Sequence, residues 1–478
     1  MSAHRLMLIV GVFILGGACP VDAGPEGVQT RFSPVRFAGP SPDGIVAPVE
    51  LDPEVYVALH GVQEAVFPEF PIGPQRTVDL QLHRVTAFGA DAQIVLVGLD
   101  GEVPGPRPEV EMFSGQVIGD PDSRVFIGLS PHGSHGYIQT QGRTHILSSG
   151  GPSGKEPMVV YDLGAVPEGT FEWVLFECGT DLLGDLVPEQ QVAAGGSENP
   201  MGSPCRVAEI ALETDTEYFR LFFTEDMAIA YTALLFGAMN DIYGRDVNTT
   251  FEIVYLRLWT FGEDPWWNPN SIDQLVYFQD YWNRNMQEVH RDVAHFLSAR
   301  PLGGGVAYLP GLCQGRNAYG LSSHLSGYFP YPLEDHNPDN WDPIVVAHEL
   351  GHNFGAPHTH AMDPPVDRCG DGRCENADQG TIMSYCHLCP GGLANFLMHF
   401  HERSINEAIL PYLNRAPCDL TCPCQADFNG DGIVNTLDFI GFLNAYNTGD
   451  ERADFNGDGI VNTLDFIGFL NAYNEGCP

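Results

Sequence analysis

The sequence predicts a multidomain protein: a β-rich N-terminal region, an α/β middle domain and a small α-helical C-terminal module. From Gly24 to Gly202 the chain alternates apolar and polar positions between Gly and Pro breaks. Residues 342–358 read as one capped helix and turn carrying three histidines. The stretch Ala426–Asn447 recurs unchanged at Ala453–Asn474, 27 residues on. At 478 residues the chain exceeds one ordinary domain.

The first 23 residues read as a signal peptide. Arg5 precedes the apolar run Leu6–Leu15, too short for a stable membrane span, and Val21-Asp22-Ala23 offers small residues at the cleavage positions. A secreted, extracellular protein is expected. The net charge of −40, from 62 acidic and 22 basic residues, argues against nucleic acid and anionic membranes as partners. Export makes disulfides possible. Twelve cysteines are present, and losing Cys19 with the signal leaves an odd thiol.

Residues 24–183 form the β-rich region. Thr77–Val85 alternates, Ile94–Val97 is a short buried-type run, and Tyr137–Thr140 and Thr144–Leu147 flank a Gly-containing turn. Phe176-Glu177-Cys178-Gly179-Thr180 lies near its end. Residues 184–204, rich in Gly, Ser and Pro, read as an exposed linker and a place for cleavage.

The middle domain spans 205–418. Strands are expected at Val207–Leu212, Phe251–Trp259 and Gly304–Leu309. A helix follows the cap Thr224, and 271–298 reads as mostly helical with a break. The central helix opens on Asp342, an N-cap type, and Pro343, whose missing N–H costs nothing at the first position. His348 and His352, four residues apart, share a face. Gly355 allows a turn with positive φ, after which His358 can return as a third ligand. Three neutral imidazoles with an open fourth position describe a catalytic zinc site, and Glu349 is placed to act on water rather than bind metal.

The extended H-E-x-x-H-x-x-G-x-x-H resembles the metzincin clan of zinc endopeptidases. Gly380–Tyr385 then supplies the Met-containing turn that the clan places beneath its metal, with Met383 as the methionine. Gly115–Val125 with the following hairpin is similar to the propeptide of reprolysins (adamalysin type), and Thr224–Tyr231, Leu256–Thr260 and Gly303–Leu309 are similar to their catalytic domains. The resemblance implies a twisted mixed sheet with helices, a zinc cleft below an edge strand, and a protein or peptide substrate. It also implies that Cys178 is a switch whose thiolate holds the zymogen inactive; a disulfide with Cys205 is the alternative. Thr359 stands where reprolysins have Asp, and Tyr385 follows the pattern of astacins and serralysins, where the tyrosine supports the oxyanion; a purely structural Tyr385 is the alternative. His360 fits the third-ligand spacing less well than His358, and His399 and His401 are expected on a helix without metal.

Residues 419–478 form the end module. Each repeat opens as an EF-hand-type loop with oxygen ligands at the calcium spacing. These are Asp427, Asn429, Asp431, Ile433 (by its carbonyl), Asn435 and Asp438 in the first. The second offers Asp454, Asn456, Asp458, Ile460, Asn462 and Asp465. The pair resembles a type I dockerin, which implies a cohesin-type partner through residues 424–478 and attachment to a cell surface. A second reading makes the chain a calcium-dependent interaction or scaffold protein whose zinc domain is silent; intact Glu349 argues against it.

Overall fold

The computed structural model describes residues 33–150, 157–167, 178–183, 205–329, 342–422, 426–429, 434–455 and 461–475. The expected signal peptide and the whole 184–204 linker lie outside these; so do Asp431, Ile433, Asn456, Asp458, Ile460, Cys424 and Cys477.

The N-terminal region supplies β1 (Val35–Phe37), β2 (Val46–Leu51), α1 (Pro53–Ala58), β3 (Glu64–Gly73), β4 (Arg76–Arg84), β5 (Phe88–Gly98) and β6 (Gly101–Pro104). It continues with β7 (Glu111–Val117), β8 (Asp120–Leu129), β9 (His135–Thr140), β10 (Arg143–Ser148), β11 (Val159–Asp162) and the short α2 (Thr180–Leu183). Nine of these strands form an antiparallel sheet in the order β1-β2-β11-β10-β9-β8-β7-β4-β3. The β9–β10 turn is two residues, Gln141 and Gly142, both with positive φ, so Arg143 already pairs with Thr140.

The middle domain supplies β12 (Arg206–Thr214), α3 (Thr216–Arg220), α4 (Glu225–Val247), β13 (Thr249–Trp259), α5 (Ser271–Asn285), β14 (Val293–Leu297), β15 (Val306–Ala307), β16 (Tyr319–Ser322), α6 (Asp342–Asn353) and α7 (Leu410–Leu413). Thr224 caps α4 through the Met227 N–H. The second sheet runs β15-β16-β14-β12-β13-β5-β6, parallel at its centre and antiparallel at both edges.

Several expectations are corrected. The described strands of the β-rich region divide between the two sheets, because β5 and β6 complete the second one, β5 pairing in parallel with β13. The helix expected over 271–298 ends at Asn285, and Val293–Leu297 is a central strand. Its five consecutive buried residues suit a parallel strand covered on both faces, a pattern that periodicity alone does not separate from a buried helix. The strand expected over Gly304–Leu309 shrinks to Val306–Ala307, since Gly303 and Gly304 both hold positive φ. His399 and His401 sit in the irregular stretch before residue 402, not on a helix.

Among the described residues four disulfides join Cys205–Cys422, Cys313–Cys418, Cys369–Cys386 and Cys374–Cys389. They fit an extracellular protein. Cys178 is free, so the alternative pairing with Cys205 does not form. Among the described residues no helix is long and apolar enough to cross a membrane. The end module folds as α8 (Thr436–Thr448) and α9 (Thr463–Glu475), closed by aromatic rings with Phe442 stacked on Phe469 at 4.1 Å.

Candidate metal centre and its occupying segment

Helix α6 is buried along its whole length. Its first residue, Asp342, accepts hydrogen bonds from the Ser326 and Gly327 N–H groups (2.9 and 3.0 Å) and the Tyr231 hydroxyl (2.7 Å), which ties the helix to α4 and the preceding loop. Gly355, at φ +90°, turns the chain out of the helix, and His358 comes back toward His348 and His352.

The three Nε2 atoms converge, His352 to His358 at 3.1 Å and His358 to His348 at 3.2 Å. Each Nδ1 is engaged on the far side of its ring. His348 Nδ1 donates to the Ile382 carbonyl and His352 Nδ1 to the Ala356 carbonyl, both at 2.7 Å. His358 Nδ1 donates to the Asp181 carboxylate at 3.0 Å. Carbonyls and carboxylates only accept, so the proton sits on Nδ1 and the three Nε2 atoms present lone pairs to one point. Burial holds His348 and His352 neutral, His348 down to about 3. Mutually facing lone pairs repel unless a cation lies between them. Tetrahedral zinc with Zn–N near 2.0–2.1 Å separates its nitrogens by about 3.3–3.4 Å, so this donor set fits zinc.

Glu349 is buried beside the histidines, and burial pushes its carboxyl well above the usual range. Its Oε1 is a buried acceptor with no hydrogen-bond partner, lying against Gly305. Gly305 makes room for it: a Cβ there would lie 2.2 Å from that oxygen. Met383 packs under the helix, where a Cβ on Gly351 would meet its Sδ at 2.5 Å. The Met383 carbonyl accepts from the Thr359 N–H and hydroxyl (3.0 and 3.1 Å), so Thr359 fixes this turn to the third histidine. The Tyr385 ring lies 4.6 Å from that of His358, and burial raises its hydroxyl. His360 stacks on the outer face of His358 at 5.2 Å and is not one of the three converging rings. Ile344, Val345, Ser384, His387 and Phe396 line a small recess beside Glu349.

The segment Cys178–Asp181 fills the remaining side. Cys178 Sγ lies 3.3 Å from His352 Nε2 and 3.5 Å from Glu349 Oε2, which accepts from the thiol. Burial raises the thiol, a preference that a bound zinc would reverse. The Cys178 N–H donates to the Tyr385 hydroxyl (2.9 Å), and the Gly179 N–H to the Gly305 carbonyl (3.0 Å). The Thr180 hydroxyl accepts from the Ala307 N–H and donates to its carbonyl, both at 3.1 Å, imitating strand pairing with β15. Sequence reasoning missed Asp181, Gly305 and the Thr180 clasp. A carboxylate three residues after the cysteine was the one available signal for Asp181.

In the end module, the Asp438 carboxylate accepts from the Asn435 and Asn429 N–H groups at 2.8 and 3.0 Å, drawing both ends of the described loop together. Asp465 makes the equivalent bond to the Asn462 N–H at 2.7 Å. Asp427 and Asp454 stand beside these loops among the described residues.

The helix, the three converging imidazoles and the adjoining carboxylate make up a candidate metal centre. Residues 204–396 match a reprolysin profile described as metallo-peptidase family M12, so this part of the chain is similar to reprolysin-like metallopeptidase domains. Over 199 residues the chain is 26% identical to disintegrin and metalloproteinase domain-containing protein 1 of Rattus norvegicus, covering 40% of this chain and 23% of that protein. Over 137 residues it is 29% identical to protein 1a of the same description in Mus musculus, covering 28% of this chain and 15% of the relative. The chain thus spans about a quarter or less of the length of these curated relatives. Among solved structures, metalloproteinase-II from Bacteroides fragilis aligns with a TM-score of 0.36 at 12% identity, covering 73% of this chain and 90% of that one, too loose a likeness to argue from.

Proposed function

We propose that the chain is a secreted zinc endopeptidase made as a latent precursor. The convergence of three Nε2 lone pairs beside a buried, orphaned Glu349 oxygen is the observation that carries this reading. When bound, zinc lowers the pKa of water and polarises the scissile carbonyl. His348, His352 and His358 hold it, the first two oriented through the Ile382 and Ala356 carbonyls and the third, in the uncut chain, through Asp181. Glu349 takes a proton from the attacking water and delivers it to the leaving amine. Tyr385, released from the Cys178 N–H, turns its hydroxyl to the developing oxyanion. Met383 supports the histidines from below.

In the precursor Cys178 is the fourth donor, as the four-residue cluster of Cys178, His348, His352 and His358 supports. Cleavage within 184–204 would unlatch it. The end module binds two calcium ions through the loops from Asp427 and Asp454, and serves as a dockerin-like anchor for a cohesin-type partner at the cell surface. The buried Asp438 and Asp465 at equivalent positions, with the small aromatic core, support the calcium part of this reading. Calcium removal is expected to melt α8 and α9, read by loss of helical circular dichroism.

Metal analysis of the cut protein, beside cleavage of an unstructured protein with and without a zinc chelator, tests the enzyme. One zinc per chain, chelator-sensitive hydrolysis and its loss in zinc-loaded Glu349→Gln are expected. Persistent hydrolysis in that variant would refute the role of Glu349. Zinc without hydrolysis in the wild type would favour the scaffold reading.

A further inference from the structure

We infer that the N-terminal region remains bound as a noncovalent subunit after the linker is cut, so that activation moves only the Cys178 segment. The inference rests on the precursor reading above. Its ground is that β5 and β6 are strands of the catalytic sheet. Six residue pairs join β5 to β13, from Ile253–Phe88 to Trp259–Val97, and without β5 the inner strand β13 would become an open edge.

Buried polar groups cross the same boundary. Asp241, on α4 and 2% exposed, accepts from the Ser114 and Tyr137 hydroxyls of the N-terminal sheet. Asn240 Nδ2 donates to the Thr86 carbonyl at 2.7 Å, and Arg124 pairs with the buried Asp246 at 2.6 Å. Departure of the region would leave Asp241 facing Arg245 alone among these groups. Separation would exchange these hydrogen bonds, formed out of water, for bonds to solvent and give up the fit between the two surfaces.

The apolar contact is equally close. Met112, Phe126 and Tyr137 belong to one core with Leu234, Phe236 and Met239. A Cβ on Gly128 would lie 2.3 Å from Leu234, and one on Gly237 would lie 2.5 Å from Met112 Sδ, so glycine on each side lets sheet and helix touch. The Cys178–Asp181 segment, by contrast, is held by a handful of hydrogen bonds along β15 and around the histidines. It is the part that opens locally while the shared core stays shut. Among the described residues no disulfide links 33–183 to the remainder, so the union is noncovalent.

The test uses the full chain as Glu349→Gln, with a recognition site for a specific protease placed within 184–204. After cutting, size exclusion in native buffer should give one particle containing both fragments, separable only in denaturant. Separate elution of a folded catalytic fragment would overturn the inference. Tyr137→Phe combined with Ser114→Ala should lower the denaturant concentration that separates the fragments; an unchanged midpoint would remove Asp241 from the interface. Hydrolysis by the cut wild-type protein is measured in parallel. Fragments that part while hydrolysis proceeds would sink this inference alone, whereas co-elution without hydrolysis, persisting in Cys178→Ala, would sink the enzyme reading and leave the interface standing.

Discussion

Replacing Asp181 by Ala in the uncut chain is expected to weaken zinc binding about tenfold. His348 and His352 direct their Nδ1 protons to carbonyls within the catalytic domain, but His358 depends on a carboxylate delivered by the segment that also carries Cys178. Such partners fix the ring's orientation and raise its basicity, and their loss typically weakens metal affinity about 10–100-fold. Asp181 has a side chain 59% exposed, so solvent screening places it at the lower end, a loss of about 1.4 kcal/mol. The His358 hydrogen bond already holds the Asp181 carboxyl below its usual range, the sign expected if the charged form is the one engaged. Asp181→Asn keeps an acceptor oxygen without the charge and should lose roughly threefold, about half the logarithmic effect. Zinc affinity is read by competition with a chromophoric chelator, in the Glu349→Gln background to prevent self-cleavage. If Asp181→Ala binds zinc within about twofold of its parent, the carboxylate does not position His358 and the reasoning fails.

Cys178→Ala should make the uncut chain hydrolyse an unstructured substrate at least about tenfold faster, since an intramolecular ligand present at high effective concentration is lost; an inert precursor with full zinc would count against the switch. Gly351→Ala gains about 1 kcal/mol of helix propensity, but its Cβ would strike Met383 Sδ and the Phe400 ring. Overpacking costs about 1–3 kcal/mol, so a net loss visible as a fall of a few degrees in Tm is expected, and an unchanged Tm would show that the Met turn gives way freely. Asp215 caps α3 from a fully buried site, and burial pushes its carboxyl up to about 7 from 3.8. A raised folded value means that its stability contribution is complete below about pH 4 and is lost as pH rises through 7. Asp215→Asn should therefore gain relative to wild type across that interval in denaturant melts, and parallel pH curves would refute the assignment.

The parts of the site legible in sequence are local. His348, Glu349, His352, Gly355 and His358 lie within one helix and one turn, where spacing alone fixes who faces whom. Met383 and Cys178 were reachable only through resemblance, since nothing in a lone Met or Cys announces its neighbours. Asp181 and Gly305 were illegible because their partners lie far along the chain, His358 and Glu349 respectively. The same limit hid the destination of β5: Ile94–Val97 reads as a buried strand, but its sheet is decided by packing against β13. Val293–Leu297 was misread because a fully buried strand has no polar alternation to reveal it.

The Cys205–Cys422 bond, with the neighbouring Arg206–Thr421 bridge, fastens the chain ahead of the two repeats to β12, the first strand of the middle domain. Pull on residues beyond Cys422 and the tension enters β12, which lies between β13 and β14 in the middle of the second sheet. The load path therefore runs through the sheet's hydrogen-bonded centre and bypasses α7, the methionine turn and the three histidines. Force applied to the tail would thus load the sheet while the cleft around the histidines keeps its shape.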